Sequence, residues 1–339
     1  NEKNNHARIL EVCEKAQWFG RPKDSFRFFV QPSVPVLTIE GNWVMTEPLK
    51  MLAKPGGHGV MWREALRQGI FDWFSSLGRK KFLVRQINNP LAGTDHGLLA
   101  LAGVGFQDDK AFGVASCPRY VNSAEGMLVM VEKKGAEGVS CGITNIEYTE
   151  FKKRGIEDAP TTPNGKYSLF PSNTNILFVD LQKMREKAQN APIPGMLINM
   201  KSTVLYTDAE GEKREIKGGR LESTMQNVAD FLTDSFPKPL EKGEQNKLQT
   251  FVTYNTRRKT SAFTKSLYKK GESAIGTPEG AFYERMHNAY DLLKNYCNVE
   301  VPKVQEEDEF LREGPSFIFE YHPGLGPLFE VIGQKIQGG

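Results

Sequence analysis

In 175-NILFVDL-181, four apolar residues from Ile176 to Val179 run together between Asn175 and Asp180. A short run of this kind, bounded by polar residues, reads as a strand buried on both faces. Similar runs recur at 26-FRFFV-30, 82-FLVRQI-87, 127-MLVMV-131, 249-QTFVTY-254 and 316-SFIFEY-321. Helical patterns lie between them. Trp62, Ala65, Leu66, Ile70, Trp73, Phe74 and Leu77 fall near helical spacing, and 97-GLLALAGVG-105, 222-ESTMQNVADFLTDSF-236 and 281-AFYERMHNAYDLLKNY-296 behave alike. Strands alternating with helices predict an α/β fold with a mixed, largely parallel sheet flanked by helices. The stretch from Ala111 to Tyr148 is mostly strand-like and predicts an antiparallel patch joined to that sheet. Connectors at 155–173 and 237–247 are rich in Gly, Pro and polar residues and read as surface loops.

The bulk composition narrows the classes. The 339 residues, with 39% hydrophobic and 25% charged, describe a globular protein with a sizeable core. A formal net charge of +3 is too slight to argue for nucleic acid or a membrane surface. No apolar run approaches the roughly 20 residues that span a bilayer. Cys13, Cys117, Cys141 and Cys297 are widely spaced and predict free thiols in a reducing compartment. The first residue is not Met and no leader pattern precedes the fold, so segments are expected to be missing at both ends.

The five histidines show no HExxH spacing, no GxSxG elbow occurs, and 103-GVGFQD-108 has only two of the three dinucleotide glycines. In an open α/β sheet, ligands sit at the carboxyl ends of strands, so the segments just after strands matter most. One is 52-LAKPGGHGVMWREA-65, where Gly56, Gly57, His58 and Gly59 precede a helical pattern. It is either a sharp turn that opens a helix, or a loop whose backbone and helix start receive a ligand. In 145-NIEYTE-150, Glu147 and Glu150 fit an edge strand with one wet face, or carboxylates that grip sugar hydroxyls. Asn173 and Asn175 are open to the same two readings. The basic run 257-RRKTSAFTKSLYKKG-271 is a solvated face or a patch that neutralises phosphate. Its few aromatics argue against a nucleic-acid platform.

Taken together and in order, these segments resemble the UTP–glucose-1-phosphate uridylyltransferases, also called UDP-sugar pyrophosphorylases. The likeness is strongest to the plastid type and its chlamydial relatives. It runs through 18-WFGRPKDSFRFFVQPSVPVL-37, 54-KPGGHGVMW-62, 84-VRQINNPLAGTDHGLLAL-101, 145-NIEYTEF-151, 170-FPSNTNILFVDL-181, 218-GGRLESTMQNVADF-231, 254-YNTRRKTS-261 and 322-HPGLGPLFEV-331. The resemblance implies a Rossmann-like sheet of the nucleotide-diphospho-sugar transferase type. It also implies Mg²⁺-assisted attack of a sugar 1-phosphate on UTP, releasing pyrophosphate and forming UDP-glucose. Carried over, Gln31 contacts the uracil, with Gly56, Gly57, His58 and Gly59 completing the nucleotide side. His58 meets a phosphate, Glu147, Asn173 and Asn175 hold sugar hydroxyls, and Lys259 is the late phosphate-binding lysine. The chloroplast stroma is the implied location, with the bacterial cytoplasm as the alternative.

Two departures stand out. The family's glycine-rich first loop, with its arginine and lysine, is not among the 339 residues. Asn88 in 86-QINN-89 stands where the family carries a metal-binding aspartate, and an amide binds Mg²⁺ less well than a carboxylate. Asp95 is the nearby carboxylate that could compensate. The alternatives are a catalytically inactive homologue acting as a binding or scaffold subunit, and, more remotely, a nucleic-acid binder using 257–270. The expected organisation is a nucleotidyltransferase domain over 1–315, then 316–339 leading toward a C-terminal β-helix domain. The sugar and the oligomeric state stay open.

Overall fold

A computed structural model describes residues 5–91, 96–191, 193–198, 200, 202–208, 210–320 and 322–337. The chain divides into two compact units, one from Asn1–Lys80 and Leu181–Phe231, the other from Lys81–Asp180 and Leu232–Gly339.

The first unit is built on a five-stranded antiparallel sheet. Lys213–Glu222 pairs with Leu197–Ile198, Ser202–Thr207 and Ser33–Thr38, and Ser33–Thr38 also pairs with Ala53–Pro55. Its core packs Val36, Val44 and Val204 beneath Leu52, Tyr206 and Ile216. The helical pattern from Trp62 to Leu77 forms two helices, Met61–Arg67 and Ile70–Ser76, broken at the left-handed Gly69.

The second unit carries the strand built from 175–181. Ile176–Asp180 is buried at every position and lies between Phe112–Ser116 and Lys81–Val84, with Thr250–Tyr254 on the far side of Phe112–Ser116. The sheet is mixed, but it is not largely parallel. Among the described strands only Thr250–Tyr254 against Phe112–Ser116 is parallel, and the other two pairings are antiparallel. The return path of the chain explains this. It leaves the sheet at Ser116 and comes back at the same end, where the Ser116 hydroxyl donates to the Ser172 carbonyl at 2.6 Å. A strand that re-enters where its neighbour ended must run against it. Helix Gly97–Gln107 covers one face through Leu98 and Leu101 on Ala115, Ile176, Phe178 and Phe251.

The antiparallel patch is present as the hairpin Met127–Gly135 and Gly138–Ile146. It forms its own three-stranded sheet with Asp234–Phe236 rather than extending the mixed one. Three other expectations fail in whole or in part. Residues 26–30 form no strand, because Phe26 and Phe28 stack at 6.3 Å and Phe26 meets Trp18 at 5.2 Å. Aromatic contacts there take the place of a ladder. Residues 316–320 are also irregular, with Phe317 and Phe319 packed against Phe310 and its neighbours. The expected helix over 222–236 is met only in its middle, by the 3₁₀ helix Met225–Phe231, which lies between a strand end and the short strand Asp234–Phe236. No helix of the described residues is long and apolar enough to cross a membrane.

Candidate functional site

In the first unit the glycine loop is held by its own chain. Gly59 N–H donates to the Ser223 carbonyl at 2.8 Å, and Ser223 N–H donates to the Gly56 carbonyl at 2.9 Å. Gly57 has φ +88, and a Cβ there would sit 2.3 Å from the Ser223 oxygen. A Cβ on Gly59 would lie 2.1 Å from Ser223 Oγ and 2.6 Å from Thr224 N. Both glycines are thus required by close backbone approach within the unit. The sequence left a sharp turn and a ligand loop both open, and only the resemblance implied the ligand. The same lock explains why 222–224 is not helical, since the Ser223 backbone groups are already bonded to the loop.

His58 is exposed, and its Nδ1 accepts the Met225 N–H at 3.0 Å. In the neutral ring the proton is therefore on Nε2. Gln31 stands next to Pro32, whose carbonyl accepts the Gly56 N–H at 3.0 Å. The fold therefore brings Gln31, the glycine loop and His58 together on one edge of the first unit. Trp62 anchors the helix that follows, with its indole N–H donating to the Met225 carbonyl at 2.9 Å.

In the second unit a cavity of about 180 Å³ opens at the carboxyl ends of the parallel pair. Ser116, Tyr254 and Asn255 form its floor, the helix start at His96 and Gly97 forms one wall, and Lys259 forms another. It is small for a whole nucleotide sugar and ample for a phosphate. Lys259 lies in the short helix Arg257–Thr260. Helix Pro278–Asp291, capped by the Thr277 hydroxyl, holds that segment with residues spaced along one face. Glu284 pairs with Arg258 at 2.7 Å, Asn288 donates to the Arg258 carbonyl at 2.8 Å, and Asp291 pairs with Lys259 at 2.8 Å. The Phe329 ring lies 4.8 Å from the Lys259 ammonium. Burial pushes the Asp291 carboxyl up, but hydrogen bonds from Lys259 and Asn295 outweigh it and leave it below the usual range. An ammonium has three donors, so Lys259 can keep Asp291 and still meet an anion. Sequence reasoning found Lys259 but missed Asp291, which lies too far along the chain for any local pattern to pair them.

Glu147, Asn173 and Asn175 converge beside this cavity. Met127 pairs with Ile146 and bridges to Ser172, which sets Glu147 and Asn173 one residue beyond the same point. Asn145 donates to Glu147 at 2.9 Å, and Asn173 N–H donates to the Gly126 carbonyl at 2.9 Å. The Asn173 amide donates to Asn175 Oδ1 at 3.0 Å and accepts the Asn175 N–H at 3.1 Å. Asn175 has φ 55, a left-handed conformation that asparagine tolerates well. Ile176, the next residue, lines the cavity.

Asn88 has a local structural task. Its amide donates to the Thr264 carbonyl at 3.2 Å, and its own carbonyl accepts the Thr264 N–H at 2.8 Å. Among the described residues no three His, Cys, Asp or Glu side chains gather in a way that could hold a metal ion. Asp95 lies outside the described residues. Mg²⁺ needs only one or two protein carboxylates when phosphates complete its shell, so a cage of three is not required of this chain.

The chain is 42% identical over 343 aligned positions to the UTP–glucose-1-phosphate uridylyltransferase 3, chloroplastic, of Arabidopsis thaliana, an alignment covering 99% of this chain. This chain is a homologue of that uridylyltransferase. It spans 39% of that relative's length. No protein-family profile matches it. Among solved structures, a UDP-N-acetylglucosamine pyrophosphorylase of Trypanosoma brucei superimposes with TM-score 0.64 at 18% identity, covering 87% of this chain and 54% of that one. A UDP-glucose pyrophosphorylase of Leishmania major gives 0.56 at 18% identity, covering 83% and 53%. At that identity the likeness establishes the fold, which is the α/β fold of the UDP-sugar pyrophosphorylases.

Proposed function

We propose that this chain is the nucleotidyltransferase part of an enzyme that makes UDP-glucose and pyrophosphate from UTP and glucose 1-phosphate. The observation that carries this is Lys259, held by Asp291 on the wall of a phosphate-sized cavity at the carboxyl ends of the parallel strands. The 42% identical relative bears the matching name. The first unit's edge, with Gln31, Gly57 and an exposed His58, suits a uracil and a phosphate. The second unit's Glu147, Asn173 and Asn175 suit sugar hydroxyls. The transfer needs no covalent intermediate, so the protein's work is to orient the attacking oxygen and neutralise charge. In this reading Mg²⁺ arrives with the triphosphate. The relative's name supports a chloroplast location, and we place the protein in the stroma. Glucose is preferred over other sugars because the 42% identical relative names it, whereas the fold alone also matches an N-acetylglucosamine enzyme.

The test is pyrophosphate release by the full-length protein with UTP, Mg²⁺ and a panel of sugar 1-phosphates. Release with glucose 1-phosphate above all others is expected. Folded protein that turns over none of the panel overturns the proposal.

A further inference from the structure

The short helix Arg257–Thr260 is a wall of two cavities. Lys259 and Thr260 line the one described above, whereas Arg257 and Arg258 line a second of about 390 Å³. Tyr120 and Tyr167 form one side of this second cavity, stacked with ring centroids 5.3 Å apart and planes at 23°. The Arg257 guanidinium lies 4.6 Å from the Tyr120 ring and is also forked onto buried Glu125, so the ring pair is fixed from behind. Phe263 and Ile275, the latter 52% exposed, add apolar surface at the opposite side. Glu284 and Glu307 line it from two different helices; Glu284 is paired with Arg258 at 2.7 Å, which leaves the Glu307 carboxylate as the acceptor. Burial together with the charges of Glu284 and Asp308 holds the Glu307 carboxyl above its ordinary range. A group that donates hydrogen bonds or carries positive charge would relieve that repulsion.

We infer that this second cavity is a ligand site for a flat nitrogen heterocycle with an exocyclic amino group, of the purine nucleoside class, stacked on Tyr167 in place of the exposed Lys166 ammonium, which lies 5.1 Å from that ring, and donating to Glu307. A rigid aromatic platform beside a carboxylate acceptor distinguishes such a base from a sugar. The occupant touches the same four-residue helix that presents Lys259, so filling the cavity stiffens the Lys259 segment. That last consequence rests on the uridylyltransferase reading, whereas the binding itself does not.

The probe is adenosine, titrated into the full-length protein by calorimetry, with purine riboside as the analogue lacking the amino group. Saturable adenosine binding is expected, at least fivefold tighter than purine riboside. Tyr167→Leu, which keeps bulk without a π face, should weaken adenosine about tenfold, while Tyr167→Phe should retain it. Glu307→Ala should erase most of the difference between the two nucleosides. Absence of binding at millimolar adenosine overturns the inference, as does equal affinity of wild type and Tyr167→Leu. Turnover with UTP is measured separately, so loss of the uridylyltransferase reading leaves this result standing or falling by itself.

Discussion

Three glycines in the first unit separate backbone strain from collision. Gly69 has φ +66 with nothing within 4 Å of a built Cβ, so Gly69→Ala meets only the left-handed penalty. That is about 1 kcal/mol after the gain from a stiffer unfolded chain. Gly59 lies in the ordinary turn His58–Val60, and its Cβ would fall 2.1 Å from Ser223 Oγ and 2.6 Å from Thr224 N. The hydroxyl can rotate away but the backbone nitrogen cannot, so the strands of the lock must part. Overpacking and a weakened Gly59–Ser223 hydrogen bond together cost roughly 2–4 kcal/mol. Gly57 combines φ +88 with a carbonyl 2.3 Å away, so Gly57→Ala should cost roughly 3–5 kcal/mol. All four tryptophans, Trp18, Trp43, Trp62 and Trp73, belong to this unit, so tryptophan fluorescence in a urea titration reports its unfolding selectively. The expected order of stability is Gly69→Ala, then Gly59→Ala, then Gly57→Ala. If Gly59→Ala unfolds at the same urea concentration as Gly69→Ala, the Ser223 lock is not what requires a glycine.

Other outcomes follow from buried groups. His287 is half-buried beside Arg258, and burial followed by that charge pulls its pKa down to about 4. The unfolded histidine takes a proton near 6.5 and the folded one does not, so its contribution is intact above pH 6.5 and is lost progressively toward pH 4. The melting temperature of His287→Gln should therefore fall less steeply across that window than wild type; parallel curves would contradict this. All four cysteines are buried, and burial above all pushes the Cys117 thiol up to about 12. A thiol reagent should label the native protein slowly and the urea-unfolded protein at four sites, and prompt native labelling of Cys117 would refute that placement. Arg119 is wholly buried against Asp158 at 2.6 Å. Asp158→Ala should cost roughly 3 kcal/mol, because a buried guanidinium loses its charge partner while the Ser123 and Glu125 carbonyls remain. Urea unfolding within 1 kcal/mol of wild type would show that those carbonyls suffice.

Much of the second unit was legible in the sequence. The runs at 82–87, 127–131, 175–181 and 249–254 all became strands because a continuous apolar run has few other ways to be buried with its backbone satisfied. Strand direction was not legible, because it depends on where the chain re-enters at Ser172, a contact between residues 56 positions apart. The runs at 26–30 and 316–320 misled for a related reason: aromatic side chains can be buried by one another without a ladder. At the candidate site, Lys259, Glu147, Asn173 and Asn175 were found from the family pattern, and the second unit brings them around neighbouring segments. The partners that hold them, Asp291 above all, come from distant elements and leave no local signature. The glycine loop was singled out for a ligand by the resemblance, yet its glycines answer to Ser223. A Gly57→Val variant that lost uridine binding would therefore report damage to the fold as readily as a blocked base.

Lys259→Met in the full-length protein tests the central claim most directly. Methionine keeps the packing against Phe329 and removes the charge that Asp291 positions. With UTP and glucose 1-phosphate, kcat should fall by about 10²–10³-fold, the scale seen when one pre-placed charge stabiliser is removed. Uridine affinity in calorimetry should stay within about threefold of wild type. Unchanged kcat in a folded Lys259→Met protein would contradict the assignment of this cavity to phosphate chemistry.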